Sequence, residues 1–349
     1  MISNKIKEIE ELLKDKKLVL AFSGGSDSTL LAYIANKVAK NVTAVTIDNN
    51  IMPNDFINYS KEITEKIGIK HIILKENFLQ NNTFIENTPQ RCFICRNLMY
   101  KRVKEYADEN NLTIIDGTNI SDLFEDRPGI LVNYEYNILS PLVNTGMEKQ
   151  DVLDALEELG LNYNKTTTCL ATRISQNSKI TPKKINQVKY AENLIKTLVD
   201  DDYIRVRLVE DDTAQIELSN IEPLLNINKL RLIESELKAV NFKKVSLTIS
   251  SPSSETKEIF EYKPCTQEDN KIMFEQELPY RINLEKTVPL LETLEEVKYS
   301  KTMGVSMLNY QDAHITIFEK GKIVIRNVKD QDSAQKIIIK IMPLIRREI

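Results

Sequence analysis

The stretch that most constrains this chain is Ser23-Gly24-Gly25-Ser26-Asp27-Ser28, set between an apolar run at residues 18–22 and an amphipathic run at residues 29–38. Adjacent glycines let a backbone come close to a ligand and turn several N–H groups toward it. At a helix N-terminus those donors, together with the helix dipole, form a seat for anionic oxygen. A strand that ends in such a loop needs neighbours. Further apolar runs lie at 42–47, 71–74 and 113–115, separated by helix-like segments at 54–67 and from near Cys95 to Glu109. This alternation predicts an α/β fold, a parallel sheet with helices on both faces. No G-K-[ST] follows the loop and no G-x-G-x-x-G spacing occurs, which argues against both a kinase-type P-loop and a dinucleotide fold.

Beyond residue 140 the strand–helix rhythm weakens. A helix is expected at 151–159. Thr181-Pro182 reads as a cap and first-turn proline for a helix reaching about Leu198. Strands at 204–209, 214–218 and 245–249 with a helix at 229–239 suggest a small α+β unit. Ser250-Ser251-Pro252-Ser253-Ser254 reads as a linker. Past it, residues 314–318 and 322–325 flank Glu319-Lys320-Gly321 as a hairpin, and a last helix carries Ala334, Ile337, Ile338, Ile341, Leu344 and Ile345 on one face. The expected domains are therefore 1–175, 176–250 and an α+β extension at 255–349.

Composition narrows the function. A net charge of -4 gives no overall field to hold a polyanion. No run approaches the roughly 20 apolar residues that span a bilayer, and the N-terminus is a charged helix-like segment. A cytoplasmic protein without a membrane partner is expected. The only histidines, His71 and His314, stand alone, so a histidine triad or a histidine-rich metal site is not expected. The cysteines are Cys92, Cys95, Cys169 and Cys265, too few and too uneven for a disulfide framework. Cys92-Phe93-Ile94-Cys95 opens a predicted helix between Arg91 and Arg96, which should favour thiolates. Cys169 lies beside Arg173 in a predicted loop. Asp48 ends the second strand, where parallel sheets bind ligands. Arg205 and Arg207 share one strand face, with Val206 on the other. Two guanidiniums there suit a phosphate, although pairing with Glu210 or Asp211 is the plainer alternative.

The loop matches the S-G-G-x-D-S pattern of the PP-loop ATP pyrophosphatases at every fixed position. The chain as far as about residue 250 resembles the LarE-type sulfur transferases, a branch of that superfamily that supplies sulfur to the nickel-pincer nucleotide of lactate racemase. The resemblance is carried by the loop, Arg91-Cys92-x-x-Cys95, Asp116-Gly117-Thr118-Asn119, Asp126-Arg127-Pro128-Gly129, Ser140-Pro141-Leu142, Cys169-Leu170-Ala171-Thr172-Arg173 and Arg205-Val206-Arg207. It implies an AMP-forming, ATP-dependent sulfurtransferase. Ser23, Gly24, Gly25 and Ser28 would cradle pyrophosphate and Asp27 would hold Mg²⁺, while Asp48, Gly117 and Arg127 would complete the nucleotide site. Arg173, Glu192, Arg205 and Arg207 would bind a pyridine mononucleotide acceptor whose carboxylate is adenylylated. Cys169 is the central sulfur residue of the family. With the Cys92/Cys95 pair it implies a four-iron four-sulfur cluster, which normally takes four thiolates; three leave an iron open to an added sulfide. Sulfide or another donor would reload it, and a homo-oligomer is expected.

Several alternatives stay open. Cys169 could give up its own sulfur, or carry a persulfide resolved by Cys92 or Cys95. The acceptor could be a tRNA base, met by a basic helix face at Arg96, Lys101, Arg102 and Lys104. The cysteines could hold zinc in an amide- or nitrile-forming synthase. The chain could also bind ATP without turnover, as an assembly protein. Cys265 lies outside the resembling stretch and is read as a bystander. The family's glycine-tyrosine-arginine ending is not apparent in residues 245–254, and nothing from residue 255 onward has a counterpart.

Overall fold

The computed structural model describes residues 2–125, 127–165, 168–250, 260–262 and 272–348. Asp126, most of the expected linker and Cys265 lie outside the described residues.

Four strands, β1 (Lys17–Ala21), β2 (Asn41–Asp48), β3 (Lys70–Lys75) and β4 (Thr113–Ile115), make one sheet in the order β3-β2-β1-β4. All three pairings are parallel, with Lys17 opposite Asn41, Leu18 opposite Thr113 and Thr43 opposite Lys70. Each strand reads as a nearly continuous apolar run because both its faces are covered. Successive residues of β1 point to opposite faces, and they divide between two cores. Leu18 and Leu20 pack with Leu30, Leu31 and Leu156 on one side. Val19 packs with Val45, Tyr100 and Val103 on the other. The expected α/β class is the fold observed.

The second sheet runs β5 (Ile204–Val209), β6 (Thr213–Leu218), β7 (Lys244–Leu247), with β5–β6 antiparallel and β6–β7 parallel. The helix Pro182–Leu198 lies against it and begins as its sequence predicts, with Thr181 Oγ1 accepting from Lys184 N. Its Val188, Ala191 and Ile195 share a core with Val206, Leu208 and Ile216, and that core continues into the parallel sheet.

The third sheet is antiparallel throughout. β8 (Phe260–Tyr262), β9 (Ile272–Glu277), β10 (Val297–Ser300), β11 (Val305–Tyr310), β12 (Ala313–Phe318) and β13 (Lys322–Val328) lie in the order β10-β11-β12-β13-β9-β8. The helices Leu284–Leu291 and Gln331–Ile341 share its core, the latter through Ala334, Ile337, Ile338 and Ile341. This core also takes in Ile120, Leu123 and Ile130 from the first unit. The sheet thus rests on the segment that follows β4. No helix among the described residues is long and apolar enough to cross a membrane.

Candidate functional site

Just beyond β1 the chain turns into the helix Ser26–Val38 through Gly24 and Gly25. Gly24 has φ 72°, and an added Cβ would stand 3.3 Å from Ser60 Oγ. Any larger residue there is strained twice over, by conformation and by space. Ser28 Oγ donates to Gly25 O at 3.1 Å and lies 3.2 Å from Ser23 Oγ, so the two serines draw the loop into a ring. The first-turn N–H groups of the helix have no intrahelical acceptor, as at any helix start.

Asp27 is held at both carboxylate oxygens. Oδ1 accepts from Asn119 Nδ2 at 2.7 Å and Oδ2 from Lys149 Nζ at 2.6 Å; Lys149 also reaches Ser26 Oγ at 2.5 Å. Gly117 presses on the loop from behind, where a Cβ would sit 2.9 Å from Ser28 N. Arg127 pairs with Asp122 at 2.6 Å and with Glu125 at 2.7 Å. Burial pushes the Asp122 carboxyl up to about 6 against the pull of Arg127 and the Asn119 backbone N–H.

A cavity of about 760 Å³ opens over this loop. Its lining includes apolar Phe22, Val45, Ile47 and Met99 together with the polar loop, Gly117, Asp122, Arg127 and Lys149. Asn49 faces this cavity, whereas Asp48 lines a neighbouring one of about 660 Å³ beside Asn77 and Lys189. The strand's twofold alternation accounts for the difference, since adjacent residues at its end point opposite ways.

Cys92, Cys95 and Cys169 line the same cavity as the phosphate loop. Cys92 and Cys95 lie in the first turns of the helix Arg91–Asn110; Cys169 is extended and precedes the short turn Leu170–Arg173. Buried Asn87 joins the two segments. Its Nδ2 donates to the carbonyls of Ile174, Ser175 and Ser178, while its Oδ1 accepts from Arg91 Nη1 at 2.6 Å. Arg91 Nη1 also donates to Ala171 O at 3.2 Å. Nothing in the sequence marked Asn87; its left-handed φ of 56° is legible only in three dimensions.

At Cys95 and Cys169 the thiol, not the expected thiolate, is favoured. Burial pushes the Cys95 thiol up, and the neighbouring Cys169 and Cys92 add to this more than Arg91 and Arg96 oppose it. Burial raises Cys169 as well, against Arg91. Arg96 is committed elsewhere, reaching Asp116 at 2.5 Å, Asn133 and Thr118. Much of the expected basic helix face is paired: Arg102 with Glu76 and Glu105, and Lys104 with Asp108.

Arg173 and Glu192 form a buried pair at 2.6 Å, with Glu192 also accepting from Val206 N. Arg173 is further engaged by Thr172 and Thr168. Neither residue lines the cavity. Arg207 pairs with Glu217 at 2.6 Å, a partner on β6 rather than the expected Glu210 or Asp211. Arg205 stacks on the Tyr203 ring at 4.3 Å and, among the described residues, has no ion pair. The two histidines resolve plainly: His71 is bonded to Thr46 and Thr64 within the first unit, and His314 bonds Asn309 on the third sheet.

Residues 1–126 match the family described as PP-loop domain, and residues 270–348 match the one described as transcription factor TFIID (or TATA-binding protein, TBP). An uncharacterized protein of Methanocaldococcus jannaschii is 30% identical over 69% of this chain and 92% of its own length. The pyridinium-3,5-bisthiocarboxylic acid mononucleotide synthase of Lactiplantibacillus plantarum is 29% identical over 68% of this chain and 87% of its own. The 7-cyano-7-deazaguanine synthase of Clostridium botulinum is 29% identical over 38% of this chain and 74% of its own.

Proposed function

Because this chain belongs to the PP-loop family, in its LarE-type branch, we propose that it adenylylates the carboxylate of a pyridine mononucleotide-like acceptor and then exchanges a carboxylate oxygen for sulfur. ATP-dependent sulfur transfer in the broad sense follows from the family; the acceptor, the AMP-forming step and the sulfur centre are our reading. The observation that carries it is the single cavity shared by the phosphate loop and three cysteines.

In the first step an acceptor carboxylate oxygen attacks the α-phosphorus. The bond to the β-phosphate bridging oxygen breaks, and pyrophosphate leaves. Its charge falls on the first-turn N–H groups after Gly25, on Ser28 and on Lys149, with Mg²⁺ held by Asp27. The adenine packs on the apolar part of the lining, Phe22, Val45, Ile47 and Met99. In the second step sulfide attacks the acyl carbon, the C–O bond to AMP breaks, and a thiocarboxylate remains. Lys149 is a phosphate ligand that sequence reasoning missed. It stands two residues ahead of the expected helix at 151–159, which in fact begins at Lys149, and no motif marked it.

The donor set bears on what the cysteines hold. A single zinc ion, about 2.3 Å from each sulfur, needs its ligands in close contact. Among the described residues no three His, Cys, Asp or Glu side chains are grouped closely enough to hold a metal ion of any kind. Cys92, Cys95 and Cys169 nevertheless share one cavity, and Cys95 feels the charge of the other two; as the resemblance implies, they would hold a four-iron four-sulfur cluster, whose thiolates bind separate irons. When bound, such a cluster would supply an open iron able to hold sulfide. Arg91, fixed between Asn87 and Ala171, offsets part of its negative charge.

The acceptor phosphate is assigned to Arg205 and Arg207. Three guanidiniums, Arg173, Arg205 and Arg207, meet two carboxylates, Glu192 and Glu217, leaving a net cation for an anion to neutralise. Arg173 and Glu192 then act as the buried brace of that strand. The work divides along the chain, with residues 1–175 handling ATP, 176–250 the acceptor, and 255–349 serving the role argued below. Iron and acid-labile sulfide in anaerobically purified protein test the reading. Both present, and both lost in Cys95→Ala, support it; zinc without iron contradicts it.

A further inference from the structure

Both oxygens of Asp27 are engaged, and each partner stands at the start of a helix: the one after Asn119 packs on the third sheet's unit, while the one that Lys149 opens packs on the parallel sheet and is touched by the C-terminal unit only at the residue before it, Glu148. Asn119 caps the helix Ile120–Phe124, accepting from Asp122 N at 3.1 Å while its amide reaches Asp27. On the far side of that helix Ile120 and Leu123 are buried in the C-terminal core. Tyr280 Oη donates to Leu123 O at 2.6 Å. Lys149 opens the helix Lys149–Glu158. The residue before it, Glu148, accepts at Oε1 from Gln335 Nε2 at 2.7 Å. Gly146, with φ 65°, lets the chain pass where a Cβ would meet Ile339 Cγ2 at 3.1 Å. A five-residue helix has no independent stability, so the place of Asn119 is set by what packs behind it.

We propose that the C-terminal unit is a positioning element for Mg·ATP: through Gln335–Glu148 and Tyr280–Leu123 it fixes Lys149 and Asn119 on the two oxygens of Asp27. ATP entry requires Asp27 to turn to the metal and Lys149 to the phosphates, and the two contacts set how far each must move. Gln335 and Tyr280 do not line the nucleotide cavity; they act through Lys149 and Asn119. The proposal rests on the ATP reading of the loop and is independent of the acceptor and of the cysteines.

The test is calorimetric titration of full-length protein with Mg·ATP, alongside kcat and KM for pyrophosphate release. Gln335→Glu keeps the side chain's shape and sets two carboxylates against each other. It should weaken Mg·ATP binding about tenfold, the scale of one half-buried hydrogen bond turned repulsive, and should act on KM more than on kcat. Glu148→Gln alone keeps a hydrogen bond and should bind as wild type. Glu148→Gln with Gln335→Glu exchanges donor and acceptor and should restore affinity to within about twofold, which a loss of packing would not do. Tyr280→Phe keeps the ring and should weaken binding about threefold. Wild-type affinity in Gln335→Glu, or a folded double variant that stays weak, overturns the proposal alone. A wild-type chain that does not bind Mg·ATP overturns the ATP reading and this proposal with it.

Discussion

At the scale of single residues the chemistry turns on a few groups whose surroundings differ sharply. Lys149 meets Ser26 and Asp27, so Lys149→Ala should lower kcat/KM for ATP about a hundredfold, the size of a lost oxyanion donor, without unfolding the chain. A steady-state assay of pyrophosphate release checks this. Cys169→Ala should separate the two half-reactions: AMP and pyrophosphate should still form with the acceptor, and sulfur-containing product should vanish. The Asp122 carboxyl, pushed up to about 6 by burial, binds its proton more tightly in the folded chain than in the unfolded one, where the value lies near 3.9. Folded protein then carries the extra proton, so this group's stabilising contribution is complete below about pH 4 and is lost as the pH rises through 6. Denaturant melts of Asp122→Asn between these pH values should lack that fall; an unaltered profile would place the proton on another group. The loop and the cysteines were legible in the sequence because they are marked by residue type and spacing, and they line one cavity. Lys149 and Asn87 were not, because a lone lysine or asparagine has no meaning until the fold shows what it faces.

Among the elements, the parallel sheet was the most readable, since strands buried on both faces are written as short apolar runs. β4 (Thr113–Ile115) and the helix Pro182–Leu198 follow their sequence signals closely. The segment between β4 and Lys149 was opaque. It consists of short helices of four or five residues, such as Ile120–Phe124 and Pro141–Asn144, whose stability comes from neighbours and leaves no periodicity to read. A buried network holds that segment, with Asp116 accepting from Arg96, Thr118, Asn133 and Tyr100. Gly117 stands at its start against the loop. Gly117→Ala should cost about 1–3 kcal/mol by overpacking, spent in displacing Asp27 and Ser28, so Mg·ATP affinity should fall at least tenfold while the melting temperature changes little. A variant that binds ATP normally would show the loop to be more pliant than its contacts indicate.

Across the whole molecule, the third sheet is not a loosely appended module. Ile120, Leu123 and Ile130 belong to its core, and Arg346 stacks on the Tyr134 ring at 3.4 Å. Each of those three aliphatic side chains contributes about 1.5–3 kcal/mol by burial. Ending the chain at residue 250 should therefore yield protein that aggregates and has lost ATP binding, as light scattering and nucleotide titration would reveal; a monodisperse, ATP-binding fragment would contradict the coupling. The polar stretch at 250–254 suggested a boundary, and nothing in the sequence indicated that residues on its two sides share a core, because amphipathic helices do not say which surface they cover. The central claim is that the loop and the cysteines serve one reaction in one cavity. It is tested most directly by mass spectrometry of the acceptor after anaerobic incubation of the protein with Mg·ATP, sulfide and a pyridinium carboxylate mononucleotide. The expected result is a product with one oxygen replaced by sulfur, formed in step with equal AMP and pyrophosphate. Release of ADP and phosphate, or an acceptor that returns unchanged or as an amide, would contradict it.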